Sequence, residues 1–111
     1  MRGPLQRLED ILAAIAVLKE YEKRGKERFS SDLDTQCVIL VHLQRLGEAA
    51  WKLPDSVTVL APSIPWEAIA GLRHVIVHDY FKIDLDKIWE TVEHDLATLE
   101  RNIRALSVKL Q

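Results

Sequence analysis

The segment RHVIVHDYF, residues 73–81, sets an arginine, two histidines, an aspartate and a tyrosine among Val75, Ile76 and Val77. Histidine can take or give a proton near neutral pH, and a guanidinium stabilises developing negative charge on oxygen. Those types suit phosphodiester cleavage without a metal. Neutral imidazole removes the proton of a ribose 2'-hydroxyl, imidazolium protonates the departing 5'-oxygen, and the guanidinium holds the added charge of the phosphorane. The same stretch also reads as an ordinary amphipathic helix, with polar members in water and the valines and isoleucine on a core.

Spacing constrains how such groups could meet. Around a regular helix Arg73 and Tyr80 fall about 20° apart, whereas Arg73 and His78 are about 140° apart. One straight helix therefore does not bring Arg73 and His78 together. Two copies across a twofold axis can, a histidine of one facing an arginine of the other, so the spacing predicts a site shared by two chains or a helix distorted near His78. His74 and His78 are an i, i+4 pair, but the glutamate and third ligand of an H-E-x-x-H site are missing. With no phosphate-cradling glycine loop either, neither a metal nor a cofactor is expected.

The elements that must position these residues are helical. Leu5, Leu8, Ile11, Leu12, Ile15 and Leu18 recur every three or four residues and predict a first helix, ending near Gly25 as a left-handed C-cap. The basic cluster Lys23, Arg24, Lys26 and Arg28 reads as a solvated helix end, with an RNA-binding patch as the alternative. Ser30 or Ser31 can cap a second helix running to about Leu53, with Leu33, Cys37, Leu40, Val41, Leu43 and Leu46 making it the most buried one. Gly47 in its interior costs about 1 kcal/mol relative to alanine, which suggests close approach of another backbone, with Glu48 beside it. Residues 53–65 read as one long loop, and VTVL within it is the nearest approach to a strand. Pro65 opens a third helix with Trp66, Ile69, Leu72, Val75 and Ile76 on its apolar face, and residues 73–81 as its second half. Asp84 caps a fourth, with Ile83 packing on Ile88, whose period runs from Ile88 almost to the C-terminus.

These elements predict one all-α domain over residues 1–111, a four-helix up-down bundle with room for a short extra helix. The 15 basic and 17 acidic side chains leave a formal charge of −2, which excludes a generic polyanion binder and confines any nucleic-acid contact to a local basic surface. The single cysteine, Cys37, forbids an intrachain disulfide and reads as a small buried hydrophobe. Without a signal-peptide h-region or a membrane-length apolar run, a soluble cytoplasmic protein with no membrane partner is expected.

The order Arg73, four residues, His78, one residue, Tyr80 resembles the R-x-x-x-x-H-x-Y signature of HepT-like toxins in the HEPN superfamily. Around it stand Gly47-Glu48-Ala49, Ile64-Pro65-Trp66, Ala70-Gly71-Leu72-Arg73, His78-Asp79-Tyr80-Phe81, then Asp84 and Trp89. The resemblance, from about Leu5 to Ile103, implies a HEPN bundle that dimerises with two motif helices lining a shared cleft. It further implies a metal-independent endoribonuclease, the toxin of a type VII toxin–antitoxin pair. Carried over by position, Arg73 and His78 are catalytic, with His74, Glu48 and Asp79 auxiliary. Tyr80 is the hydroxyl to which a minimal nucleotidyltransferase antitoxin of the MntA type transfers AMP from ATP, blocking RNA by bulk and charge. The chain departs from the family in having His74 where asparagine is common and Ala97 where proline is frequent. A non-catalytic helical subunit that binds nucleotide, or docks the nucleotidyltransferase, is the reading from a different class.

Overall fold

A computed structural model of the chain describes residues 2–111, and every regular element among them is helical. Helix α1, Pro4–Glu22, starts with proline at its first position, and the backbone N–H of Gly3 donates to the Gln6 side chain at 2.8 Å. It buries Leu8, Ile11, Ala14, Ile15 and Leu18. Gly25 takes the positive φ expected of it, +93°, but serves as the start of a further element, α2, Lys26–Ser31. This single turn and a half is too short to leave a periodic signal in sequence. Its Phe29 is buried and stacks on Trp89 at 5.4 Å between ring centroids.

Helix α3, Leu33–Trp51, is capped by Asp32 rather than by a serine; the Asp32 carboxylate accepts from the Thr35 hydroxyl at 2.5 Å. It lies between α1 and α5, Trp66–His78, and its buried residues include Ile39, Leu40, Leu43, Leu46 and Gly47. Cys37, Leu33 and Val41 are exposed, contrary to the expectation for this apolar run. Cys37 and Val41 each stand two residues from buried Ile39, about 200° around the helix, so the face that buries Ile39 turns both toward solvent.

The segment expected to be one loop contains α4, Asp55–Thr58, whose Val57 is buried, and VTVL forms no strand. Trp66 Nε1 donates to the carbonyls of Thr58 and Ala61, holding this connection against the start of α5. A 3-10 turn, Tyr80–Lys82, follows α5. Asp84 caps α6, Leu85–His94, its Oδ1 accepting from the N–H groups of Asp86 and Lys87. The expected single last helix breaks at Asp95, after which α7 runs Leu96–Leu110. The break lets α6 stack Trp89 on α2 while α7 lays Ile103 and Leu106 into the core along α1. Helices α1, α3, α5 and the bent α6–α7 thus form the four-helix bundle, and no helix among the described residues is long and apolar enough to cross a membrane.

The contact that positions α5 is Gly47. A Cβ placed there would lie 2.8 Å from the Cβ of Arg73 and 2.9 Å from the carbonyl oxygen of Ile69. The close approach inferred from a glycine inside a helix is therefore real. Alanine at 47 gains about 1 kcal/mol of helix propensity but must push α5 outward, an overpacking cost of about 1–3 kcal/mol. Gly47→Ala is expected to lower the melting temperature by several degrees in a calorimetric scan; an unchanged or raised value would contradict the packing.

Candidate active site

With α5 held against Gly47, Arg73 Nε meets Glu48 Oε2 on α3 as an ion pair. That nitrogen is shut off from water, and the carboxylate lies off its N–H direction rather than in line with it. Glu48 is shared: the Lys52 ammonium reaches Oε1 at 3.0 Å from one turn further along α3. The Lys52 ammonium and the Arg73 guanidinium together hold the Glu48 carboxyl below the usual carboxylate range, against the upward push of partial burial. The guanidinium also lies 5.1 Å from the ring centre of Trp51, whose side chain is 61% exposed. Because Glu48 engages the Nε side, the two terminal amino groups of Arg73 are the ones available to a phosphate.

The histidines form a second group. His74 and His78 stand one turn apart on the exposed side of α5, their ring centres 4.8 Å apart. His78 closes the helix. Asp79 leaves helical geometry at φ −125°, ψ 37°, while its N–H still donates to the Val75 carbonyl at 2.8 Å. Asp79 thus shapes the exit of the chain, and its own carbonyl accepts from Lys82 N–H at 2.8 Å. Tyr80 lies in the 3-10 turn beyond α5, so its expected alignment with Arg73 on a continuing helix does not hold. Its ring meets Phe81 edge-on at 5.6 Å and is 47% exposed, and Phe81 itself is 99% exposed. Val75 and Val77 are exposed as well, so part of the apolar content of this stretch faces outward rather than into the bundle.

Glu48 and Arg73 therefore come together through the α3–α5 contact, and His74 and His78 through the helical repeat. Sequence reasoning passed over Trp51 and Lys52; the Glu48/Lys52 spacing of four was the signal for the second, and nothing local marks the first. The basic cluster Lys23, Arg24, Lys26 and Arg28 is internally satisfied. Lys23 pairs with Glu20, Lys26 with Asp86 and Arg28 with Asp32, and Arg24 lies 3.9 Å from the centre of the Tyr21 ring. No three His, Cys, Asp or Glu side chains cluster as metal ligands among the described residues.

Residues 11–106 match the family model described as "Ribonuclease HepT-like". A chain of Thermococcus cleftensis named "Probable ribonuclease HepT" is 34% identical over 100 residues, spanning 89% of this chain and 91% of that one. A chain of Caldanaerobacter subterraneus, provisionally named an RNase, is 31% identical over 110 residues that cover 98% of both. The "mRNA nuclease HepT" of Shewanella oneidensis is 26% identical across 89% of this chain and 97% of its own. No solved structure matches the chain significantly.

A carboxyl whose pKa is lowered on folding adds stability above the ordinary carboxylate range and loses it as pH falls through the folded-state value. Wild-type melting temperature should therefore fall more steeply on acidification below about pH 5 than that of Glu48→Gln, the other carboxylates being common to both. Parallel curves in a pH series of thermal melts would show that the Glu48 cluster contributes nothing.

Proposed function

The chain belongs to the HepT-like ribonuclease family, and on that premise we propose that it is a metal-independent endoribonuclease whose active centre is completed by a second copy of itself. What supports this reading is the division of labour on α5: Arg73 is fixed against Glu48 at the helix packing contact, and the His74–His78 pair stands on the open side near the helix end. In a cleft between two such helices, His78 takes the proton of a ribose 2'-hydroxyl. The 2'-oxygen bonds to the adjacent phosphorus, the bond from phosphorus to the 5'-oxygen breaks, and an imidazolium supplies the proton to that oxygen. A 2',3'-cyclic phosphate and a 5'-hydroxyl end result. The amino groups of Arg73 stabilise the phosphorane, and Glu48 is a positioning residue that orients them. His74, one turn before His78, is placed to donate or accept the second proton. The exposed Val77 and Phe81 give the partner copy an apolar surface to cover.

The same reading makes the protein the toxin of a type VII toxin–antitoxin pair. A minimal nucleotidyltransferase antitoxin would transfer AMP to the Tyr80 hydroxyl: the phenolic oxygen bonds to the α-phosphorus of ATP, pyrophosphate leaves, and the phenolic proton is released. The half-exposed ring at the end of the motif helix is accessible to such an enzyme. The adduct would place bulk and negative charge where RNA enters.

Purified protein is expected to cleave RNA in the presence of EDTA, and His78→Ala to slow cleavage by at least about 100-fold with the fold intact by circular dichroism. A wild-type protein that binds the nucleotidyltransferase but cleaves nothing would identify a non-catalytic partner subunit instead. Incubation with ATP and the antitoxin should add AMP mass to the wild type and none to Tyr80→Phe. An unchanged adduct on the phenylalanine variant would move the modification elsewhere.

A further inference from the structure

A groove of about 370 Å³ runs between α1 and α3 on the far side of Glu48 from Arg73's helix, and Arg7, Val17, His42, Arg45 and Glu48 are among its walls. Its two acidic side chains are already engaged. Asp10 is held in a two-point bridge by Arg2, at 2.8 and 2.6 Å, and Glu48 is held by Lys52 and Arg73. The side chains of Arg7 and Arg45 have no carboxylate or hydrogen-bond partner among the described residues. Five cationic side chains therefore line the groove or bond to its acids, against two carboxylates, in a chain whose formal charge is −2.

On α3 the residues His42, Arg45, Glu48 and Lys52 follow at spacings of three, three and four. They form one stripe that rises about 9 Å between His42 and Glu48 and leads to the Arg73 guanidinium. His42 adds a discriminating group. Its Nδ1 lies 2.7 Å from the Val38 carbonyl, which can only accept, so Nδ1 carries the proton and the neutral ring leaves the Nε2 lone pair for a donor such as a ribose hydroxyl. Ala13, Ala14 and Ala49 among its lining are small, and Arg45 is exposed and Arg7 half-buried beside them.

We infer that the α1–α3 groove, through Arg7, Arg45 and His42, holds the phosphodiester backbone of a single RNA strand beside the Arg73 centre. This deepens the ribonuclease reading and rests on it for the identity of the ligand. The locally satisfied Lys23–Arg28 cluster is excluded from the path on the same grounds that select the groove: its cations already have partners within the chain. A free guanidinium that neutralises a phosphate displaces counterions condensed on the RNA; one already paired must first lose its carboxylate.

The test measures binding of a single-stranded oligoribonucleotide at several salt concentrations, in the His78→Ala background so that no cleavage intervenes. Removing both charges with Arg7→Gln/Arg45→Gln is expected to lower the slope of log affinity against log salt by about 1.4, two contacts at about 0.7 each. In the cleaving protein the same pair should raise KM and leave kcat unchanged. Lys23→Gln/Lys26→Gln removes the same charge elsewhere and is expected to leave the slope as it was. An unchanged slope in the arginine double variant, or an equal fall in the lysine one, would overturn the assignment. Should the arginine variant fail to fold, Ala13→Glu, which puts a carboxylate at the groove, must weaken binding, and undiminished affinity there would overturn it equally. A wild-type protein that binds RNA with this slope yet never cleaves would remove the ribonuclease reading and leave the groove standing.

Discussion

The approach of α5 to α3 at Gly47 is the constraint from which the remaining geometry follows. A backbone with no Cβ at that position lets Arg73 and the Ile69 carbonyl come within contact of α3, and the next residue, Glu48, is then the first carboxylate the guanidinium meets. A helix normally carries glycine at a cost, and here the cost is set against a close packing that fixes the register and the rotation of α5. With the rotation set, His74 and His78, about 100° and 140° around α5 from Arg73, are presented outward. One steric fact thus separates a guanidinium anchored in the protein from a pair of imidazoles open to solvent. A second chain is what could reunite them.

Charge is distributed with the same logic. Cations at the α1–α2 turn are matched by Glu20, Asp32 and Asp86 or by the Tyr21 ring, and Glu100 is shared by Lys19 and Arg104. The surface next to Arg73 departs from that pattern, because its carboxylates are taken by Arg2, Lys52 and Arg73 while Arg7 and Arg45 are left over. A chain with net negative charge can therefore still offer a polyanion a place to bind, provided the cations without partners lie together.

Much of this is legible in the amino-acid sequence. Gly47 announced itself because a glycine in the middle of an apolar helical period is a cost that needs a reason, and Asp84 because its type and position are those of an N-cap. Periodicity marks four long helical stretches, the last of which the structure divides into α6 and α7. What periodicity does not reveal is where a helix stops being straight or which side of an apolar run turns outward. Helix α2 is shorter than two turns, and the break at Asp95 interrupts the pattern by one residue. Cys37 sits in an apolar run yet faces solvent, because its angle around α3 depends on where α1 and α5 pack. Tyr80 shares its segment with Arg73 but not its helix, since the chain leaves helical geometry at Asp79. The candidate site was visible as residue types; the partition of its members between two sides of α5 was visible only as an angle.

A shared centre requires Arg73 of one chain to work with His78 of another. Mixing separately inactive Arg73→Ala and His78→Ala proteins under conditions that exchange subunits tests this directly by RNA cleavage. A shared centre predicts that about a quarter of wild-type activity returns, since half the dimers are mixed and each of those holds one intact pair of two. Mixtures that stay as inactive as the two components would contradict it and place any working site within a single chain.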